Sequence, residues 1–150
     1  MSFKDRAKGF KQDVLSDSAT ASSSLKQGHN PSRSTLIDVL EDAASQKSYL
    51  GMTFVEDKNR ESLVSYADIA DMAKAIAVQL TSKHNISVGD RAFVVCPPGV
   101  HFVAAYFGCL YCGAIAVPIM PPYDQLSSDK FQRIIEDARP SIFLTTKSYM

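Results

Sequence analysis

A long run without charged residues is the feature that most restricts how this chain can fold. No Asp, Glu, Lys or Arg occurs from Ala92 to Tyr123, and 19 mostly apolar residues separate the proline pair at 97–98 from Pro118. A helix of that length is long enough to cross a bilayer. The run therefore predicts one of two structures, a membrane span over 99–117 or the interior of a water-soluble fold.

The pattern of apolar segments after residue 91 favours the soluble fold. Strand-like runs alternate with helical patterns, which predicts an α/β fold with a mostly parallel sheet flanked by helices. The run at 114–119 is continuously apolar, as expected for a central strand covered on both faces. The strand-like runs are 91–96, 114–119 and 141–146, and the helical patterns are 100–112 and 127–138.

The helical pattern at 100–112 carries two further signals. Ala104, Gly108 and Cys112 form a line of small residues, which would let this helix approach the sheet closely or pair with another membrane helix. The aromatic belts of a membrane helix are missing, because Tyr106 and Tyr111 fall inside the run. Large apolar side chains surround the helix, so we expect an isolated chain of this length to leave some of them uncovered.

The amino-terminal part divides into a tail and an ordered region. Residues 1–34 are Ser-rich, basic and poor in large apolar residues, which predicts a flexible polar tail. From residue 35 onward we expect a helix, a short hairpin formed by 51–57 and 61–65, and a second helix. Both helices begin with the spacing of a capping box, in Thr35 with Asp38 and in Ser65 with Asp68.

Composition and chemistry exclude several classes of function. The formal net charge is zero, so no general attraction to nucleic acid or to anionic membranes is expected. Three cysteines and no apolar leader indicate a reducing, cytoplasmic location. Cys109 and Cys112 form a C-x-x-C pair without a second close pair of ligands, so we expect them to be buried small residues. His101 has no Ser or Cys nucleophile at a recognisable spacing, so we expect a capping or core role for it. Neither a phosphate-binding glycine loop nor a metal site is predicted, and no residue is assigned as catalytic or cofactor-binding.

Three short motifs lie in the ordered region. Five of their positions, for which the resemblance to a known family implies structural roles, are Tyr66, Gly89, Asp90, Gly113 and Pro118. The full motifs are Leu63, Ser65, Tyr66 and Asp68; Gly89, Asp90 and Arg91; and Leu110, Gly113, Ala114, Val117 and Pro118.

These motifs, in this order, resemble the N-terminal portion of adenylate-forming enzymes, the superfamily of acyl-CoA synthetases and adenylation domains. The fatty acyl-AMP ligases are the most similar subgroup, because "GCLYCGAIAVP" is followed by Pro121 and Pro122. Cys112 stands where Ala is more usual. The resemblance implies that residues 35–150 are part of an AMP-binding domain, its N-terminal subdomain only.

The resemblance also implies a reaction for a complete relative. ATP and Mg²⁺ would activate a fatty acid to an acyl-adenylate, and the acyl group would pass to acyl carrier protein or to coenzyme A. The phosphate loop and the catalytic Lys of the family have no matching positions here, so this chain is not expected to be active alone. Its expected partner is the remainder of the ligase domain, covalent or split. Two alternatives stay open: a free-standing binding module or pseudoenzyme that pairs with an acyl ligase or carrier protein, and a small membrane protein.

Overall fold

The computed structural model describes residues 35–46, 50–56, 60–121 and 125–147. The predicted tail at 1–34 lies outside these residues. The chain divides within α2 into two compact units, one that ends at Asp71 and one that resumes at Met72. The helices are α1 Leu36–Gln46, α2 Tyr66–His84, α3 Val100–Tyr111 and α4 Gln125–Ala138, and the strands are β1 Gly51–Glu56, β2 Arg60–Ser65, β3 Arg91–Val95, β4 Ile115–Pro118 and β5 Ile142–Thr145.

The first unit contains α1 and the predicted hairpin. The N–H of Asp38 donates to Thr35 Oγ1 at 3.1 Å, and the N–H of Thr35 donates to the Asp38 carboxylate at 3.0 Å. This reciprocal pair confirms the capping box and begins α1. Strands β1 and β2 pair antiparallel, with Gly51 opposite Ser65. A Cβ atom on Gly51 would lie 2.0 Å from the carbonyl oxygen of Val64, so the two backbones approach too closely for any other residue.

Helix α2 follows β2 without a connecting loop. The Ser65 hydroxyl accepts the N–H of Asp68 at 3.0 Å and donates to the Asp68 carboxylate at 2.6 Å, which caps the helix. At the other end Asn85 adopts a left-handed conformation with φ 53°, and the N–H of Ile86 donates to the carbonyl of Leu80 at 3.0 Å. The left-handed residue and this bond end the helix.

The second unit is built on a parallel sheet with strand order β4-β3-β5. Its central strand, β3, is fully buried over four residues that alternate between two layers. Ala92 and Val94 pack with residues of α2 and α3. Phe93 and Val95 pack on the opposite side with Phe131 of α4 and with Phe143 of β5. The sheet is therefore covered by helices on both faces, as the sequence predicts.

The apolar run at 114–119 is not a central strand, which corrects one expectation. It forms β4, which lies at one edge of the described sheet, and Ile115 is 50% exposed. Ala116 packs in the layer of α2 and α3, while Val117 packs in the layer of α4. Both faces of the strand are thus covered although one edge is open. A continuous apolar pattern reports covered faces and carries no information about the edge.

Helix α3 packs on the sheet through its small residues, as the sequence predicts, and at Gly108 it also approaches α2 closely. A Cβ atom on Gly108 would lie 2.6 Å from Ile76 Cγ2 and 3.1 Å from the carbonyl oxygen of Ala73. The buried face of α3 consists of small residues, and its large apolar side chains are half-buried. The half-buried set is Phe102, Val103, Tyr106, Phe107, Leu110 and Tyr111.

The predicted membrane span over 99–117 is divided into two elements. Helix α3 ends at Tyr111, and β4 begins at Ile115 after the turn at 112–113. Among the described residues, no helix combines the length and the apolar character that crossing a membrane requires.

Candidate functional site

Two of the sequence motifs meet where the strands β3 and β4 begin. The N–H of Gly89 donates to the carbonyl of Gly113 at 2.9 Å, and the N–H of Ile115 donates to the carbonyl of Asp90 at 2.8 Å. We call this region, residues 87–91 and 110–115, the amino-end junction. It brings together three of the five residues to which the sequence assigns structural roles.

Gly113 ends helix α3 with a complete Schellman motif. Its N–H donates to the carbonyl of Leu110 at 3.0 Å, and the N–H of Ala114 donates to the carbonyl of Cys109 at 2.9 Å. Gly113 has φ +73°, a left-handed conformation that glycine adopts without strain. A Cβ atom at this position would also lie 2.9 Å from Val88 Cγ2. Backbone conformation and close packing therefore both favour glycine.

Gly89 and Asp90 form the tight turn that leads into β3. The Asp90 carboxylate accepts the N–H of Ser87 at 2.8 Å, and the N–H of Asp90 donates to the carbonyl of Ser87 at 3.1 Å. Gly89 has φ +87°, and no atom lies within 4 Å of the position that its Cβ would take. Glycine is favoured here by backbone conformation alone, and Asp90 closes the turn through its side chain.

Arg91 extends the amino-end junction to β5 and to the end of α4. Its Nε donates to the carbonyl of Ala138, and its own carbonyl accepts the N–H of Ser141 at 2.8 Å. Helix α4 ends at this point because Arg139 is left-handed, with φ 45°, and is followed by Pro140. The sequence motif includes Arg91 but gives no sign that it contacts α4.

The other two assigned residues lie elsewhere. Pro118 is the last residue of β4, at the carboxyl end of the strand, and it is aligned with Val94 of β3. Tyr66 is the first residue of α2 and belongs to the first unit. Its N–H donates to the carbonyl of Leu50 at 2.9 Å, so it closes the base of the hairpin.

The three cysteines are free thiols in or beside the core of the second unit. Burial raises the pKa of Cys109 from 9.0 to about 12, and the neighbouring Cys112 adds to this effect. Burial also raises the pKa of Cys96, to about 11. A thiol with a raised pKa stays protonated at neutral pH and is a poor nucleophile. Cys96 and Cys109 therefore contribute packing and carry no activated thiolate.

His101 lies exposed in the first turn of α3, so of the two roles expected for it the core role is wrong, while the capping role stays a prediction. Among the residues that the structure describes, no group of three or more His, Cys, Asp or Glu side chains could hold a metal ion. The buried hydroxyl of Thr145, which the sequence analysis does not single out, donates to the carbonyl of Val95 at 2.8 Å and joins β5 to β3.

Comparison with known proteins identifies the family to which this arrangement belongs. Residues 40–149 match the family of AMP-binding enzymes. The chain is 34% identical, over 120 residues, to the medium-chain-fatty-acid–[acyl-carrier-protein] ligase JamA of Moorena producens, a match that covers 77% of this chain and 20% of the relative. It is 38% identical, over 79 residues, to human Disco-interacting protein 2 homolog A, with 51% of this chain and 5% of that protein covered.

The solved structures give the same result. The crystal structure of the fatty acid AMP ligase from Legionella pneumophila matches with a TM-score of 0.70 and 36% sequence identity, over 75% of this chain and 20% of that one. This chain thus spans about a fifth of the length of the JamA ligase and of the Legionella enzyme. The fold that the motifs imply, the N-terminal part of an adenylate-forming enzyme, is confirmed by this match. The chain belongs to the AMP-binding enzyme family.

Proposed function

We propose that this chain forms part of a ligase that activates a fatty acid with ATP. The observation that carries the proposal is the match at 36% identity and a TM-score of 0.70 to a fatty acid AMP ligase. In the proposed reaction the fatty-acid carboxylate attacks the α-phosphate of ATP, which forms an acyl-adenylate and releases pyrophosphate. Transfer of the acyl group to an acyl carrier protein follows and releases AMP; the acceptor is proposed because the JamA relative is named as a ligase for it. Coenzyme A is the alternative acceptor.

The role of these residues within such a ligase is structural. The amino-end junction fixes where β3 and β4 begin through backbone bonds, and such bonds hold a sheet without acting on a substrate. The sequence contains no glycine-rich loop followed by Lys, the arrangement that binds phosphates in many nucleotide-binding proteins. The described residues contain no cluster of metal ligands. We therefore assign ATP and Mg²⁺ to other parts of the ligase domain and derive no step of the reaction from this chain.

The partner that we propose is the remainder of a ligase domain, either in the same polypeptide or as a second one. The free thiols of Cys96, Cys109 and Cys112 are consistent with a reducing environment. We therefore propose a cytoplasmic location for the assembled ligase.

ATP–pyrophosphate exchange tests the proposal. The purified chain should give no fatty-acid-dependent exchange by itself. Co-expression with the Legionella ligase from which the equivalent segment has been deleted should restore exchange, and the deleted ligase alone is the control. Exchange by the purified chain would overturn the structural role. A co-purified, folded complex without exchange would overturn the proposed function.

A further inference from the structure

The outer edge of β4 is short of hydrogen-bond donors. The N–H groups of Ile115 and Ile119 both point to β3, where they donate to the carbonyls of Asp90 at 2.8 Å and of Val94 at 3.2 Å. Backbone groups alternate in direction along a strand, so the N–H groups of residues 115, 117 and 119 share one side. Residues 116 and 118 must therefore direct their backbone groups away from β3.

Pro118 occupies one of the two outward positions. Proline has no N–H, so Ala116 is the one residue of β4 that can donate to a strand on the outer side. The missing N–H does not weaken the sheet, because the pairing with β3 uses the odd-numbered residues. Proline is tolerated in a sheet at this kind of position, on an edge strand with its nitrogen facing outward.

The exposure of the strand agrees with an open outer edge. Pro118 and Ile115 are both exposed, and β3 is the one described strand that pairs with β4. The opposite edge of the sheet is different. The N–H of Ser141 donates to Arg91 of β3, so Ile142 and Leu144 of β5 face outward, and both retain their N–H groups. The proline lies on the edge whose end residues, Ile115 and Pro118, are exposed.

We infer that Pro118 prevents the outer edge of β4 from pairing with β4 of a second copy of this chain. An exposed, mostly apolar edge strand is a template for such pairing. In a two-fold pairing both strands would contribute the same edge, so each copy would offer a single donor, that of Ala116. The inference concerns association of the chain and does not depend on the proposed ligase function.

Hydrogen exchange on the unmodified chain tests the geometry. The amides of residues 115, 117 and 119 should exchange slowly, because each donates to β3, and the Ala116 amide should exchange at least about tenfold faster. Protection of Ala116 equal to that of its neighbours would mean that the outer edge is already bonded, and it would overturn the inference.

Substitution tests the effect on association. Pro118→Ala restores an outward N–H, and Pro98→Ala makes the same chemical change in the exposed turn between β3 and α3. Sedimentation velocity over a concentration series should show that Pro118→Ala raises the association constant by about thirtyfold, the effect of two regained hydrogen bonds, one from each copy. Pro98→Ala should leave it unchanged. An unchanged constant for folded Pro118→Ala, or an equal rise for Pro98→Ala, would overturn the inference. If Pro118→Ala does not fold, hydrogen exchange of the Ala116 amide in the unmodified chain decides whether the inference stands.

Discussion

The N–H of Gly89 donates a 2.9 Å hydrogen bond to the carbonyl of Gly113, and this bond joins the turn before β3 to the end of α3. Both glycines have positive φ, but their surroundings differ. A Cβ on Gly113 would meet Val88, whereas a Cβ on Gly89 would meet nothing within 4 Å. The two positions therefore separate the effect of backbone strain from the effect of steric overlap.

Gly113→Ala should lower the free energy of unfolding more than Gly89→Ala does. Each substitution forces a left-handed alanine, which costs roughly 1–2 kcal/mol. Gly113→Ala also pushes against Val88, which should add up to about 1 kcal/mol because Val88 is 85% exposed and can move. Urea denaturation of the two variants measures the difference.

A second substitution is the control for this prediction. Val88→Ala removes the atoms that the new Cβ would meet and should cost little by itself. In that background Gly113→Ala and Gly89→Ala should be about equally destabilising. A persistent difference between them would show that the Schellman motif, and not the contact with Val88, causes the larger loss of stability at Gly113.

Gly108→Ala should destabilise the chain although it lies within a helix. Replacing a helical glycine by alanine normally stabilises by up to about 1 kcal/mol. Here the added methyl would lie 2.6 Å from Ile76 Cγ2 and close to the carbonyl of Ala73, so we expect a net loss of about 1–3 kcal/mol. Thermal or urea unfolding measures this loss.

The Gly108 prediction depends on contact with α2. In an Ile76→Ala background, where Cγ2 is absent, the cost of Gly108→Ala should be smaller, and a double-mutant cycle gives the coupling between the two sites. A stabilising Gly108→Ala in the unmodified chain would contradict the close approach of α3 to α2.

The buried thiol of Cys109 should make stability fall at alkaline pH. Its pKa is 9.0 when unperturbed and about 12 in the folded chain, so between these values the unfolded chain has lost the proton that the folded chain keeps. The contribution of this thiol is therefore fully present below about pH 9 and is lost as pH rises toward about 12, by at most about 1.4 kcal/mol per pH unit.

Comparison with Cys109→Ala isolates this effect from other titrating groups. Urea denaturation at about pH 8 and about pH 10 should show a smaller loss of stability for Cys109→Ala than for the unmodified chain. Equal losses in both proteins would contradict the burial of the Cys109 thiol.

Local features of the sequence predict the elements of this fold but not their arrangement. The capping boxes at Thr35 and Ser65 act through neighbours three residues apart, so the sequence displays them directly. The strand order β4-β3-β5 depends instead on pairings such as Ala92 with Ala116 and with Ile142. These partners are far apart in the chain, so no local pattern indicates the strand order. Pro118 is a local sign that β4 lies at an edge, because proline within a sheet is found on edge strands.

For the candidate site, too, the sequence predicts the residues but not how they are arranged. The sequence motifs identify Gly89, Asp90 and Gly113, but the bond that unites them joins two backbones and leaves no trace in side-chain patterns. The left-handed residues Asn85 and Arg139 were not predicted. For Arg139 the following Pro140 is a signal, because proline is common just after the end of a helix.

We propose that these residues form an N-terminal segment of a fatty acid-activating ligase and that they can replace the equivalent segment of a relative. The most direct measurement is fatty-acid-dependent ATP–pyrophosphate exchange by a chimera in which residues 40–149 of this chain replace the equivalent segment of the Legionella fatty acid AMP ligase. We predict that the folded chimera keeps kcat/KM within about tenfold of the Legionella enzyme, a loss of at most about 1.4 kcal/mol of transition-state stabilisation. A folded, monodisperse chimera that forms no acyl-adenylate would contradict the claim.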